Sequence, residues 1–68
     1  DKINSILTMA QNIQQELGVV EINRLIEQAV SGNIDEITAR RIVDDLIYKG
    51  ELYKVKPGFV KLVEPSSG

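Results

Sequence analysis

Apolar residues recur every three or four positions over the first quarter of the chain. The recurring residues are Ile3, Ile6, Leu7, Ala10, Ile13 and Leu17. At about 100° per residue they fall on one side of a helix, which predicts an amphipathic first helix that packs on the core. Gly18 stands where a left-handed residue commonly ends a helix, and the β-branched pair Val19 and Val20 then favours a short strand.

A second stripe of the same spacing predicts a helix from about Glu21 to Val30. Its members are Ile22, Leu25, Ile26, Ala29 and Val30. Ser31-Gly32-Asn33 is typical of a turn and ends it. The start is weakly signalled, because Glu is a poor N-cap.

The third helix has two possible starts. Its apolar stripe consists of Ala39, Ile42, Val43, Leu46 and Ile47. A helix that began at Asp35 would turn Ile37 about 150° away from this stripe, into water. With Thr38 as the N-cap, Ile37 could instead pack on Ile42 from the position before the cap. The pattern therefore favours Thr38.

The rest of the chain changes to strand character. Lys49 and Gly50 supply the cationic last turn and the glycine that end a helix. Residues 51–55 and 59–63 are β-prone, and Lys56-Pro57-Gly58 between them is a turn. This predicts an antiparallel hairpin, although apolar residues on both faces leave open which face packs on the helices.

The order helix, short strand, helix, helix, hairpin is that of a winged helix-turn-helix. We expect an α+β fold, mostly α, in which the third helix is the recognition helix and the hairpin is the wing. The domain covers residues 1–64, and residues 65–68 are a disordered tail or a cloning remnant. A three-helix bundle with an appended hairpin is the alternative.

Several kinds of chemistry are absent from the sequence. The chain has no His and no Cys, so it offers no Ser-His or Cys-His pair and no thiolate metal site. No Lys precedes Ser or Thr, so a P-loop is missing. Asp44 and Asp45 diverge by about 100° on a helix and cannot flank one bond as acid and base. We expect a domain without catalytic activity, cofactor or metal.

Two further features bear on where the protein works. No apolar run approaches the roughly 18 residues that span a membrane, and no segment resembles a signal peptide. We therefore expect an intracellular domain, in the cytoplasm or nucleoid, that makes no membrane contact.

The first residue is Asp1 rather than Met, which indicates a piece of a longer protein.

Charge is divided unevenly along the chain. The net charge is −2, with −4 on residues 1–38 and +2 on residues 39–68. The second half is thus the better candidate for an anion-facing surface. The candidate contacts with DNA or a protein partner are Arg40, Arg41, Tyr48, Lys54, Lys56 and Lys61.

The two arginines allow two interpretations. Arg40 and Arg41 lie at the start of the recognition helix, where such proteins reach base edges. They could instead form a solvated ladder at i, i+4, Arg40 with Asp44 and Arg41 with Asp45. The acids on this face would repel DNA phosphates, which favours the ladder or a protein-binding face.

The remaining candidates also have alternatives. The three wing lysines could lie along a phosphate backbone or could block edge-to-edge aggregation. Tyr48 could anchor a protein interface or lie against the wing. Tyr53 and Phe59 are expected in the core or in hairpin pairing rather than in base stacking.

The run Lys49-Gly50-Glu51-Leu52-Tyr53, followed by Lys56-Pro57-Gly58, carries a family resemblance. It resembles the C-terminal winged-helix domain of the archaeal minichromosome maintenance (MCM) replicative helicase. There the last helix ends in a basic or small residue and Gly, then come an acidic or apolar pair and Tyr, a Lys-Pro-Gly turn and a closing strand. The likeness extends to Lys2 before an Ile-rich helix and to Ile34. The chain departs from the family at Ile37-Thr38.

This resemblance implies a regulatory appendage of an ATP-binding hexameric helicase that acts in DNA replication. Such a domain modulates ATPase and helicase activity and contacts the origin-binding initiator, with at most weak DNA binding. The isolated domain would be a monomer. Two other functions stay open: a DNA-binding transcription regulator, and a protein-binding winged helix of another replication assembly, such as the C-terminal module of replication protein A.

Overall fold

The computed structural model describes residues 1–63. It contains α1 (Lys2–Leu17), β1 (Val20–Glu21), α2 (Ile22–Ser31), α3 (Glu36–Tyr48), β2 (Leu52–Lys56) and β3 (Phe59–Leu62). This confirms the predicted element order and the mostly helical α+β winged-helix fold. The predicted domain end at residue 64 and the predicted tail over 65–68 lie outside the described residues.

The three strands form one antiparallel sheet in the order β1-β3-β2. Strand β3 is central, and it pairs with β1 through Val20 and Val60. Because β1 lies between α1 and α2 in the chain, this pairing ties the wing to the helices. Leu52 and Val60 are fully buried, which identifies the inner face of the hairpin. The hairpin is therefore part of the core rather than an appendage.

All six elements contribute to the buried core. The buried apolar side chains are Ile6, Ala10, Ile13, Val20, Leu25, Ile26, Ala29, Ile34, Ala39, Val43, Leu46, Leu52 and Val60. Three members of the predicted stripes, Ile3, Leu17 and Val30, are 43–53% exposed, so their assignment to the buried face was wrong. Each lies in the first or last turn of its helix, where fewer neighbouring elements cover the side chain.

The start of α3 differs from the prediction. Asp35 is the N-cap, and its Oδ2 accepts a hydrogen bond of 3.1 Å from the Thr38 backbone N–H. Thr38 therefore occupies the third helical position, and the preference for it as the cap was wrong. Ile37 is 67% exposed instead of packing on Ile42. Asp caps more strongly than Thr and also favours the positive end of the helix dipole, which outweighs the exposure of one side chain.

The end of α3 is a Schellman motif. The Glu51 N–H donates to the Leu46 carbonyl at 2.9 Å, and the Gly50 N–H donates to the Ile47 carbonyl at 3.1 Å. Gly50 has φ of 82°, a conformation in which a Cβ would be strained. The predicted helix end at Lys49 and Gly50 is confirmed.

The wing turn connects the hairpin to α2. Strand β2 extends to Lys56, so the connection is the two residues Pro57 and Gly58 rather than the predicted three. A β-bulge separates Lys54 from Lys56. The Gly58 carbonyl accepts a 2.9 Å hydrogen bond from the N–H of Ile22, the first residue of α2. This tertiary contact satisfies a donor at a helix start where Glu21 makes no side-chain cap.

Replacing the α3 cap tests where the helix begins. Asp35→Ala is expected to lower the free energy of unfolding by about 1 kcal/mol, because it removes the acceptor for the Thr38 N–H. Thr38→Ala is the matched variant and should cost less. Urea denaturation followed by circular dichroism measures both, and a larger loss for Thr38→Ala would place the cap there instead.

Candidate interaction surface

One side of α3 faces away from the core. Four residues at spacings of four, three and four line it, opposite the buried side chains of the helix. They are Ile37, Arg41, Asp44 and Tyr48, and all four are exposed. We call these four residues the outer stripe. Ile37 and Tyr48 stand at its ends with 67% and 90% of their surface exposed, and the two charged residues lie between them.

Arg40, beside the outer stripe, is held by an acid of its own helix. Its Nε donates to Glu36 Oε2 at 3.0 Å, one helical turn earlier. The predicted pair of Arg40 with Asp44 does not form. The pair that forms places the acid N-terminal to the base, which is the stronger orientation on a helix. The sequence did not predict the pair of Arg40 with Glu36, because a helix that starts after Thr38 does not include Glu36.

The opposite flank of the outer stripe is neutralised in the same way. Lys49 Nζ lies 3.2 Å from Asp45 Oδ2, again with the acid one turn before the base. The predicted pair of Arg41 with Asp45 is therefore also wrong. Within residues 1–63, neither Arg41 nor Asp44 forms an ion pair. Both solvated pairs contribute little to stability, but they decide which charges remain available on the surface.

The exposed side of α3 is electrically balanced. From Glu36 to Lys49 the chain carries three acidic and three basic side chains. A helix that enters the major groove meets phosphates on both sides and gains affinity from clustered bases. The balance on α3 provides no such excess.

Tyr48 had two predicted environments, a protein interface or the wing. With 90% of its surface exposed, it does not pack against the wing. A ring that is nearly fully solvated can gain much by burial against a partner, and Tyr is enriched among the residues that dominate interface energies.

The three wing lysines do not form one cluster. Lys54 lies opposite Val60, on the face of the sheet that faces the core. Lys56 lies opposite Phe59, and its Nζ is 4.5 Å from the centre of that ring. Lys61 is half-buried and lines a groove against α1. The three lysines thus lie in different environments. Of the three, only Lys54 and Lys56 are exposed, and we call the end of the hairpin that carries them the wing tip.

Tyr53 and Phe59 take part in hairpin pairing, as predicted. Tyr53 lies opposite Lys61, and Phe59 lies between Glu21 of β1 and Lys56 of β2. Phe59 is half-buried, and Tyr53 is 45% exposed.

Gln14 makes a long-range contact that was not predicted from the sequence. Its Oε1 accepts a hydrogen bond of 2.7 Å from the Leu62 N–H, where β3 extends beyond its pairing with β1. The side chain thus replaces a strand at this part of the sheet. With Gln11, Gln15 and Lys61 it lines an open groove of about 590 Å³ between α1 and β3. The only signal in the sequence that could have identified Gln14 is its position on the polar edge of the α1 stripe.

Within residues 1–63, no three Asp or Glu side chains come together in a group that could hold a metal ion. No helix in that range is long and apolar enough to cross a membrane.

Comparison of the chain with protein-family models, with curated proteins and with solved structures gave no match.

Removing the Gln14 amide tests its role at the sheet. Gln14→Ala is expected to lower the free energy of unfolding by about 1 kcal/mol, since the half-buried Leu62 N–H loses its acceptor. Gln15→Ala, one residue away and exposed, should change it by less than about 0.5 kcal/mol. Equal effects in urea denaturation would contradict the assigned hydrogen bond.

Proposed function

We propose that this chain is a non-catalytic winged-helix module that binds protein through the outer stripe of α3, as a regulatory part of a replicative DNA helicase. The observation that carries the protein-binding role is the composition of that surface. It offers two exposed apolar anchors, Ile37 and Tyr48, on a helix whose charges balance.

The charges of α3 argue against a DNA-reading helix. Arg40 is already engaged by Glu36, so using it for DNA would require breaking that pair or bringing the acid along. Asp44 stands in the middle of the outer stripe, where it would approach the phosphates. One such acid offsets much of what Arg41 could gain, because affinity for DNA depends on neutralised phosphates.

The apolar ends of the outer stripe argue for protein. Interfaces concentrate their binding energy in a few aromatic or Arg side chains that become desolvated. Tyr48 and Arg41 are of these two types, and Ile37 adds apolar area one turn beyond Arg41. A surface of this composition fits a protein partner better than a polyanion.

The assignment to a helicase rests on the resemblance to the MCM C-terminal domain. Lys49 to Tyr53 form the Schellman end of α3 and the start of β2, and Lys56 to Gly58 form the end of β2 and the wing turn. The matching residues thus shape the junction of recognition helix and wing. The proposed partners are the helicase's ATPase core and the origin-binding initiator. A P-loop elsewhere in the same polypeptide would support this assignment, and its absence would favour another replication assembly.

Any DNA binding is assigned to the wing tip. Lys54 and Lys56 are exposed and could each neutralise one phosphate. Two such contacts give a slope of about −2 in a plot of log affinity against log salt, so affinity falls about tenfold when salt rises fourfold.

A fluorescence-anisotropy titration with duplex and single-stranded DNA tests the proposal. We expect weak binding at low salt that disappears at moderate salt. The double variant Lys54→Ala, Lys56→Ala should weaken it further, whereas Arg40→Ala, Arg41→Ala should change it by less than about threefold, because α3 does not contact the DNA.

The opposite pattern would overturn the proposal. Binding that survives moderate salt and is lost in the Arg40→Ala, Arg41→Ala variant would make this chain a DNA-binding regulator that uses α3 as its recognition helix.

A further inference from the structure

The outer stripe has the same spacing in both directions along α3, with a large side chain at each end and opposite charges at the centre. It consists of an apolar residue, a charge, the opposite charge and an aromatic residue, at spacings of four, three and four. Its midpoint falls between Arg41 and Asp44. With a rise of about 1.5 Å per residue, the four side chains extend over about 16 Å of one helix face.

We propose that a second copy of this chain binds the outer stripe, with the two α3 helices antiparallel around a two-fold axis at the midpoint of the stripe. The inference rests on the proposed function, because it takes the outer stripe as a protein-binding face and adds a second copy of the chain to the ATPase core and the initiator as its partners. Such an axis gives an isologous interface, in which each contact occurs twice.

In the two-fold arrangement, every residue of the stripe faces a complementary residue of the second copy. Residues equidistant from the midpoint face each other across an antiparallel pair. Arg41 then faces Asp44 of the second copy, and Asp44 faces Arg41 of the second copy. Ile37 and Tyr48 face each other in the same way at both ends. The spacing of four and three is also that of a helix face that packs on another helix at a small crossing angle.

The ion pairs within α3 strengthen this assignment. On the two flanks, Arg40 is paired with Glu36 and Asp45 is paired with Lys49. Of the six charged residues from Glu36 to Lys49, the two central charges of the stripe are thus the ones without an ion-pair partner in residues 1–63, and they have opposite signs. Antiparallel association supplies both with a partner. A parallel arrangement would place Arg41 against Arg41 and Asp44 against Asp44, which is repulsive.

The ends of the stripe supply the apolar contact. Tyr48 is 90% exposed and Ile37 is 67% exposed, so both lose much solvent contact when the two rings cover the two isoleucines. Four side chains from each copy bury less than the roughly 1,200 Å² of a stable interface, so we expect a weak dimer with a Kd of about 0.1–1 mM. At micromolar concentration the chain is a monomer. In an assembly that holds several copies together, the effective local concentration reaches the same range and the contact forms.

Exchanging the charges at positions 41 and 44 tests the proposal. Self-association of the whole chain is measured by sedimentation equilibrium at concentrations up to about 1 mM. The wild type is expected to self-associate. Arg41→Asp leaves two acids at the centre of the stripe and Asp44→Arg leaves two bases, so each variant alone should self-associate at least about tenfold more weakly. An equimolar mixture of the two variants should associate again.

The double variant Arg41→Asp, Asp44→Arg selects the orientation. In an antiparallel pair it restores both ion pairs, and self-association should return to within about threefold of the wild type. In an arrangement that uses these charges without placing position 41 against position 44, it should not. Self-association that is unchanged in both single variants would place the interface elsewhere and overturn the proposal. Circular dichroism spectra and thermal unfolding curves that match the wild type serve as the control for folding.

Two further outcomes would overturn the proposal. A wild type that remains monomeric at about 1 mM, together with a monomeric mixture, would show that the outer stripe does not bind a second copy. Self-association that the double variant fails to restore would show a dimer of different geometry. Neither outcome affects the proposed function, which the DNA titration with Arg40→Ala, Arg41→Ala tests separately.

Discussion

The hydrogen bond from the Thr38 N–H to the Asp35 carboxylate fixes where α3 begins and thereby which side chains its exposed face presents. Because Asp35 caps α3, the helix includes Glu36, and Glu36 then lies one turn before Arg40 and pairs with it. The same start turns Ile37 outward. A helix that began three residues later would lack the acid partner of Arg40 and would hide Ile37. The cap thus fixes both the charge balance and an apolar anchor of the recognition helix.

The fold follows from local patterns, whereas two of its hydrogen bonds join residues that are far apart in the chain. Apolar periodicity predicts the three helices, and Gly50 and the Pro-Gly turn mark the ends of α3 and the hairpin. The start of α2 had only a weak local signal because Glu21 makes no side-chain cap, and the N–H of Ile22 donates instead to the carbonyl of Gly58, 36 positions later in the chain. The side chain of Gln14 accepts a hydrogen bond from Leu62 of β3, across a separation of 48 positions. Neither hydrogen bond can be predicted from the residues that lie next to Ile22 or Gln14 in the sequence.

The candidate site was predictable as a set of residues but not as an arrangement. An acid-balanced recognition helix followed from the sequence, whereas the exposure of Tyr48 did not, because packing against the wing was an equal alternative. The ion pairs did not, because they depend on the helix start and on the preference for an acid N-terminal to its base. The separation of Lys54 from Lys61 depends on strand register, and a bulge changes that register next to Lys56. An error of one turn in a helix start, or of one residue in strand register, therefore changes the predicted charge pairs of the surface more than it changes the predicted fold.

The central claim is that α3 faces protein and that only the wing tip meets DNA. A ¹H–¹⁵N correlation spectrum recorded during titration with duplex DNA tests it residue by residue. The account predicts small, salt-sensitive shifts at the amides of Lys54 and Lys56, and unchanged amides at Arg41 and Tyr48. Shifts concentrated at Arg41 and Tyr48 would contradict it, because they would place DNA on the recognition helix.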